Sequence, residues 1–334
     1  MPQTLMPPSP AFTHALESTD LTSTDPQRDS FDFTGRTVLL ATDGSPSSVA
    51  AAHVAYAMAR EKRAIVHAVT VMNTRPEHAP APLDLALALT CESDGESTRT
   101  HQIALLRDTL SATLGVAVHW PVRIMIGELA PAIVQEANRI HATLIVIGLR
   151  RHGPLDRIMH DETTLSVVRR ARCPVLGVAS TLHGLPTRVL AALDFGRSSE
   201  TAARRGAGLL AEDGSMVLAY VAPQSGDGAE EGEALIRELG VAAAFDRCEE
   251  ELPRSVARLD RVVVHHKLPQ PTAKLLLEYA VTTRADLVVA GSRRQRRMDR
   301  WLLGSVSTEL VRDGRRSVLI VPPEREGDSP ARDD

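Results

Sequence analysis

The sequence predicts an α/β protein made of two tandem doubly wound units, each a five-stranded, mostly parallel sheet flanked by helices. Three features support this prediction: short apolar runs that end at an aspartate or a glycine, helical stretches between these runs, and a second pass through the same order. Continuous apolar runs of this length suit strands buried on both faces of a parallel sheet. Strands that alternate with helices indicate βαβ crossovers.

The first half begins with the apolar run 36–43, which stops at the turn Asp43-Gly44. A helix is expected over 46–60, because Pro46 suits a helix start, where its missing N–H is not needed. Residues 73–97, rich in Pro, Ala and Ser, indicate a long loop. The other expected elements are strand 64–71, a helix near 98–114, a strand near 116–126, a helix near 128–140, strand 144–148, a helix near 162–171 and strand 174–178.

The same order starts again at residue 188, where a strand ends at Asp194 as the first one ends at Asp43. The runs 215–221, 286–291 and 317–321 match the later strands of the first half. The pattern is a domain-sized duplication. The expected domains are 36–180 and 187–323, joined by a linker at about 180–187, with acidic tails at 1–35 and 324–334 outside the fold.

Composition excludes several classes of protein. The 334 residues are 43% hydrophobic and 24% charged, which is ordinary for a globular protein, and no apolar run reaches the length of a membrane span. Aromatic residues make up 3%, and the pI is about 6.3, which argues against nucleic acid as a partner. Three widely separated cysteines without a CxxC pair argue against structural zinc and for a reducing compartment. With no secretory signal visible, a cytoplasmic location is expected.

The candidate binding site lies beyond the carboxyl ends of the strands, where ligands bind in an open parallel sheet. In the second half this edge carries Asp194 and the loop 291–307, which contains Gly304, Ser305 and Ser307. Free N–H groups and partial positive charge at the start of a helix favour a phosphate, and glycine lets backbone come close to a ligand. The sequence therefore predicts an anion-binding turn before the last helix.

With these features the chain resembles the universal stress protein family, as two tandem copies. The segment 41–45, the strand–helix order and the segment 302–306 before a closing strand carry the resemblance. It implies the adenine-nucleotide α-hydrolase-like fold with strand order 3-2-1-4-5. It also implies that the closing strands 174–178 and 317–321 pair the two halves as an intramolecular pseudo-dimer. A homodimer of the whole chain stays open as a further expectation.

The nucleotide-binding branch of this family has Gly, two residues, Gly, nine residues, then Gly and Ser or Thr. Gly291, Gly304 and Ser305 match this pattern, but Arg294 stands at the second glycine, where a side chain disfavours positive φ without forbidding phosphate contact. The resemblance implies ATP, with Mg²⁺, in the second half only. It would place Asp194 and the backbone at Val221 at the adenosine, and these residues at the ribose and phosphates: Gly291, Gly304, Ser305, Val306 and Ser307. Arg294, at the second glycine position, is a further candidate residue of this site.

The first half departs further from the pattern. Gly148 is present, but Asp161 and Glu162 replace the Gly-Ser pair. These carboxylates suit a helix start, yet they would repel a phosphate. Two like charges about 4 Å apart cost about 4 kcal/mol at an effective dielectric near 20, which is about three decades in affinity. This degenerate site, with Asp43 as a turn residue, is expected to hold no triphosphate unless a cation bridges it.

The expected function is that of a cytoplasmic stress-response or regulatory protein that senses or stores a nucleotide. Two alternatives remain open: a tandem module that binds no nucleotide and acts through protein partners, and a weak nucleotide hydrolase or nucleotidyl transferase on the same scaffold. The sequence contains no P-loop and no GxSxG elbow, so no enzyme is predicted. The arginines of 293–300 would be either a phosphate clamp or a solvated basic loop.

Overall fold

A computed structural model describes residues 15–16, 33–44, 46–72, 96–149, 161–222, 231–265, 270–292 and 303–323. In these parts of the chain eleven strands form one sheet, in the order β1-β9-β8-β7-β10-β11-β6-β5-β2-β3-β4. The strands are β1 (Ala15–Leu16), β2 (Thr37–Ala41), β3 (Ile65–Met72), β4 (Val122–Ile126), β5 (Leu144–Gly148), β6 (Val175–Val178), β7 (Arg188–Leu193), β8 (Ser215–Ala222), β9 (Arg258–His265), β10 (Leu287–Gly291) and β11 (Ser317–Val321).

Helices lie between the strands of each half and cover both faces of the sheet. They are α1 (Pro46–Glu61), α2 (Glu96–Leu114), α3 (Leu129–Arg139), α4 (Asp161–Arg170), α5 (Arg197–Leu209), α6 (Glu231–Glu250), α7 (Thr272–Thr282) and α8 (Ser305–Asp313). The central strands are buried on both faces, which explains their continuous runs of Val, Leu, Ile and Ala. In the described part of the chain, none of the helices is long and apolar enough to span a membrane.

The predicted fold class is confirmed. Within each half the strands pair in parallel, in the order 3-2-1-4-5 counted along that half. The reversal of strand order lies between β7 and β10 in the second half and between β2 and β5 in the first. The carboxyl ends of these strands form the edge at which a doubly wound sheet binds ligands.

The two halves join where β11 pairs antiparallel with β6, with Val318 opposite Gly177. The hydroxyl of Ser317 accepts a hydrogen bond from the Ala179 N–H at 3.1 Å, and Ser317 is fully buried. Helices α4 and α8 also pack against each other across this seam. Two apolar clusters beside it each contain residues of both halves, so the two halves pack against each other at their closing strands.

Three expected boundaries differ from the structure. The strand expected near 116–126 begins at Val122, because Pro121 lacks an N–H for the ladder, although its carbonyl accepts from Ala68. The loop expected over 73–97 ends earlier, since α2 starts at Glu96. The N-terminal segment expected outside the fold contributes β1, which pairs antiparallel with β9, and Phe33, which is buried in the core. The rest of that segment and the C-terminal tail lie outside the described residues.

Candidate functional site

A cleft of about 440 Å³ opens at the carboxyl ends of β7, β8 and β10, at the switch in strand order. Helices α7 and α8 begin at its rim. The floor is mostly apolar backbone and small side chains, and the rim carries hydroxyl groups and one carboxylate. The lining residues are Ala192, Leu193, Asp194, Ser199, Ala219, Tyr220, Val221, Thr272, Leu276, Ala290, Gly291, Gly304, Ser305, Val306 and Ser307.

Two helix N-termini carry hydroxyl groups at the cleft. Ser305 is the first residue of α8 and is exposed, and Thr272 is the first residue of α7, directly after Pro271. Pro271 and Gly304, the residues that precede these two helices, provide no side-chain capping bond to them. The first N–H groups of each helix also lack intrahelical partners, so both helix ends favour an anion.

Gly304 precedes α8 in an extended conformation, with φ −61° and ψ 158°. Any residue adopts these angles, so backbone strain does not require glycine here. A Cβ atom at this position would meet no described atom within 4 Å. Because Gly304 lines the cleft, that open space is where a ligand would approach the backbone.

Asp194 follows β7 and is held by the turn into α5. Its Oδ1 accepts a hydrogen bond from the Gly196 N–H at 3.0 Å. The hydroxyl of Ser199 donates to the Gly196 carbonyl at 2.9 Å and accepts from the Asp194 N–H at 3.3 Å. Phe195 lies between them with a φ of 56°. The carboxylate is therefore fixed by local geometry while its residue stays exposed at the mouth of the cleft.

Two residues that were expected to face ribose or phosphate have structural contacts instead. The hydroxyl of Ser307 donates to the Gly291 carbonyl at 3.3 Å, and Ser307 is only 3% exposed. A Cβ atom at Gly291 would lie 2.4 Å from the Ser198 carbonyl oxygen, so this glycine allows β10 to approach the start of α5. Both residues line the cleft, but neither offers a free side-chain group to a ligand.

The structure brings seven of the eight predicted second-half residues into this one cleft: Asp194, Val221, Gly291, Gly304, Ser305, Val306 and Ser307. Arg294, with the rest of the arginine-rich loop, lies outside the described residues. Three further lining residues were not predicted from the sequence: Thr272, Leu276 and Ser199. Thr272 could have been found from its position directly after Pro271 at the start of a helix. Ser199 could have been found from its position at the start of the first helix after Asp194.

The first half places its corresponding residues on equivalent elements. Asp43 follows β2, Gly148 ends β5, and Asp161 and Glu162 begin α4. Gly44, with φ 69°, takes the left-handed conformation that Phe195 takes in the second half. The main-chain frame of the site is thus repeated, whereas the residues that start the last helix differ in charge.

Comparison with known proteins agrees with this duplicated frame. The model of the universal stress protein family matches residues 35–179 and 186–322. The chain belongs to the universal stress protein family. A universal stress protein of Mycobacterium tuberculosis is 28% identical over 300 residues, which cover 85% of this chain and 96% of the relative. A universal stress protein of Methanocaldococcus jannaschii is 30% identical over 145 residues, which cover 42% of this chain and 80% of the relative.

Solved structures support the universal stress protein fold. The crystal structure of a universal stress protein from Archaeoglobus fulgidus superposes with a TM-score of 0.58 and 17% identity, covering 86% of this chain and 98% of that one. A Pseudomonas aeruginosa protein described as functionally unknown superposes with a TM-score of 0.54 and 15% identity, covering 88% of this chain and 95% of that one. At these identities the likeness extends to the fold alone.

Proposed function

We propose that this universal stress protein is a cytoplasmic regulatory protein that binds ATP or another nucleotide in the cleft of its second half. The observation that carries the proposal is the convergence of two helix N-termini, with the Ser305 and Thr272 hydroxyls, on one cleft at the switch in strand order. Both the helix ends and the hydroxyls are donors, which suits the oxygens of a phosphate.

The deeper part of the cleft suits a nucleobase. Val221, Leu276 and Ala290 contribute apolar surface, and their strands and helix belong to one apolar cluster. Small-molecule sites typically combine a largely apolar wall with a few convergent polar groups, and the volume of about 440 Å³ lies in the range of such sites. We infer that the base lies against this wall, with the phosphates toward Gly304 and Ser305.

Mg²⁺ would enter with the phosphates of a triphosphate. This ion takes most of its ligands from phosphate oxygens and water, with one or two protein carboxylates. Asp194 is the acidic residue among the described lining residues, and one of its oxygens already accepts from Gly196. We therefore assign Mg²⁺ no fixed ligand set on this chain. The first half would hold no triphosphate at the corresponding helix start, which begins at Asp161.

Titration calorimetry with ATP tests the proposal. Wild type is expected to bind about one ATP per chain, and Gly304→Ala is expected to weaken binding at least tenfold, because its methyl group projects into the open space at the phosphates. Ser305→Asp places a carboxylate beside the phosphates and is expected to abolish detectable binding. Gly184→Ala is the matched control, since a Cβ atom there also meets no described atom within 4 Å.

Two results would contradict the proposal. Wild type that gives no heat with ATP, ADP or AMP would favour a module that acts through protein partners. Equal affinities of wild type and Ser305→Asp would place the nucleotide elsewhere. Product analysis after long incubation with ATP and Mg²⁺ tests the enzyme alternative, and we expect no sustained turnover; turnover that Asp194→Ala abolishes would favour a hydrolase.

A further inference from the structure

We propose that the outer edge of β4 is the surface through which two copies of this chain associate, by antiparallel pairing of β4 with β4 of a second copy. Strand β4 is the last strand of the sheet on the side of the first half, and no strand in the described part of the chain lies beyond it. The opposite edge differs, because β1 pairs with β9 there. This inference does not depend on nucleotide binding.

The hydrogen bonds between β3 and β4 show which main-chain groups of β4 face outward. The Ala68 N–H donates to the Pro121 carbonyl at 2.9 Å, and the Gly127 N–H donates to the Met72 carbonyl at 3.1 Å. Odd-numbered residues of this segment therefore direct their main-chain groups toward β3. Because strand residues alternate, the N–H and C=O groups of Val122, Ile124 and Ile126 point away from the sheet.

A two-fold axis at Ile124 satisfies all of these outward groups. In that register Val122 lies opposite Ile126 of the partner subunit, and Ile124 lies opposite Ile124 of the partner subunit. All these pairs are of the hydrogen-bonded antiparallel type, so every outward N–H and C=O of the strand gains a partner. A two-fold interface of this kind closes on itself and gives a dimer rather than a fibre.

The side chains of β4 are self-complementary in the same register. Val122 and Ile124 pack at the margin of the core, and Ile126 is 69% exposed, more than the other exposed large hydrophobic residues of the described chain. Pairing would bring these three onto one apolar face. On the other face Arg123 lies opposite Met125 of the partner subunit, and its guanidinium is held by buried Glu136 at 3.3 Å, a carboxylate that it shares with Arg139.

The duplicated fold shows that this position accepts an added antiparallel strand. On β9, Arg261 and Val262 pair with β1. The register against β8 and β3 makes these residues the counterparts of Val122 and Arg123 on β4. Exposed edge strands are commonly protected by charged side chains, Pro or a bulge. Strand β4 contains no Pro, and Arg123, its one charged residue, bonds to Glu136 at 3.3 Å. We therefore assign this edge to a second copy rather than to solvent.

Sedimentation velocity of the full-length chain tests the proposal. Wild type is expected to sediment as a dimer at tens of micromolar. Ile126→Lys and Ile126→Pro, both at an exposed position, are expected to raise the dimer dissociation constant at least tenfold, since the first buries a charge and the second removes an outward N–H. Leu239→Lys, at a position 62% exposed on α6, is the control and is expected to leave the dimer unchanged. Circular dichroism checks that all variants are folded.

Cysteine cross-linking tests the register in a variant in which Cys91, the cysteine outside the described residues, is replaced by serine. Oxidation is expected to link Ile124→Cys chains into covalent dimers, because directly opposite residues lie about 5.5 Å apart between Cα atoms. Met125→Cys chains are expected to stay unlinked, since Met125 does not face its own copy. Three results would overturn the proposal: a monomeric wild type, a dimer that survives both Ile126 substitutions, or equal cross-linking at 124 and 125. A monomeric wild type would favour the N-terminal segment of the same chain as the occupant of the β4 edge.

Discussion

Phe195 shows how a single residue fixes the carboxylate at the mouth of the cleft. It has a φ of 56°, which costs an L-residue about 1–2 kcal/mol. Its ring contacts Tyr220 at 4.8 Å and Phe245 at 5.1 Å between centroids. We infer that this aromatic packing offsets the backbone strain, and that the strained turn keeps the Asp194 carboxylate bonded to Gly196.

Replacing Phe195 by glycine and by alanine separates these two effects. Both changes remove the ring and are expected to lower the free energy of unfolding. The Phe195→Gly variant is expected to be more stable than Phe195→Ala by about 1 kcal/mol, because glycine adopts a positive φ without strain. Urea denaturation measures the difference. An alanine variant as stable as the glycine variant would show that the backbone here carries no strain.

Sequence alone could predict which residues line the cleft but not which of their atoms are free. The positions of Gly304 and Ser305 follow from chain order, because a residue that starts a helix after a parallel strand lies at the carboxyl edge of the sheet. The contacts of Ser307 and Gly291 depend on how closely β10 and α5 pack, which only three-dimensional structure shows.

Among the elements, α5 packs closely against β10 at two glycines. Gly206, in the last turn of this helix, has no side chain to separate it from β10, and a Cβ atom there would lie 2.7 Å from Val289 Cγ2. At the start of the same helix, Gly291 of β10 meets the Ser198 backbone. The two glycines therefore allow α5 to pack closely against β10 near both ends of the helix. This packing places the Asp194 turn at the cleft.

Gly206→Ala is expected to destabilise the protein by about 1 kcal/mol. Overpacking against Val289 costs about 1–3 kcal/mol, which exceeds the gain of about 1 kcal/mol in helix propensity. Gly240→Ala in α6 is the matched control: a Cβ atom there meets no described atom within 4 Å, so this variant is expected to gain about 1 kcal/mol. Thermal unfolding measures both. A stabilised Gly206→Ala variant would contradict the close packing of α5.

Most elements could be predicted from hydrophobic runs and helix starts, and the exceptions have local causes. The strand that begins at Val122 was expected to start earlier, because apolar Val116 and Val118 extend the run. Instead, Val118 is buried and its N–H donates to Ser111 Oγ. Strand β1 is two residues long, so no periodicity could reveal it.

For the whole molecule, we infer that the seam between β6 and β11 makes the two halves unfold as one cooperative unit. The core cluster contains residues from strands of both halves. The Ser317 hydroxyl accepts a hydrogen bond from the N–H of Ala179, the last residue before the linker. The duplication in the sequence predicted two units, and the family resemblance predicted their pairing through the closing strands. The charge difference between the two last-helix starts could be predicted from sequence, since it lies in residue identity.

Ser317→Ala is expected to lower the free energy of unfolding by about 1–3 kcal/mol, because it leaves the buried Ala179 N–H without an acceptor. Wild type is expected to unfold in a single calorimetric transition, and in the variant this transition should move to lower temperature without splitting. Ser305→Ala, at an exposed serine, is the control and is expected to change stability by less than about 0.5 kcal/mol. Two separated transitions in wild type would show that the halves unfold independently.

A crystal structure of the protein grown with ATP and Mg²⁺ would show which half holds the nucleotide. We expect a nucleotide in the second half alone, with its phosphates at the N–H groups that follow Gly304 and its base against Val221 and Leu276. A nucleotide beside Asp161, or a complex in which the cleft of the second half stays empty while ATP binds elsewhere, would contradict it.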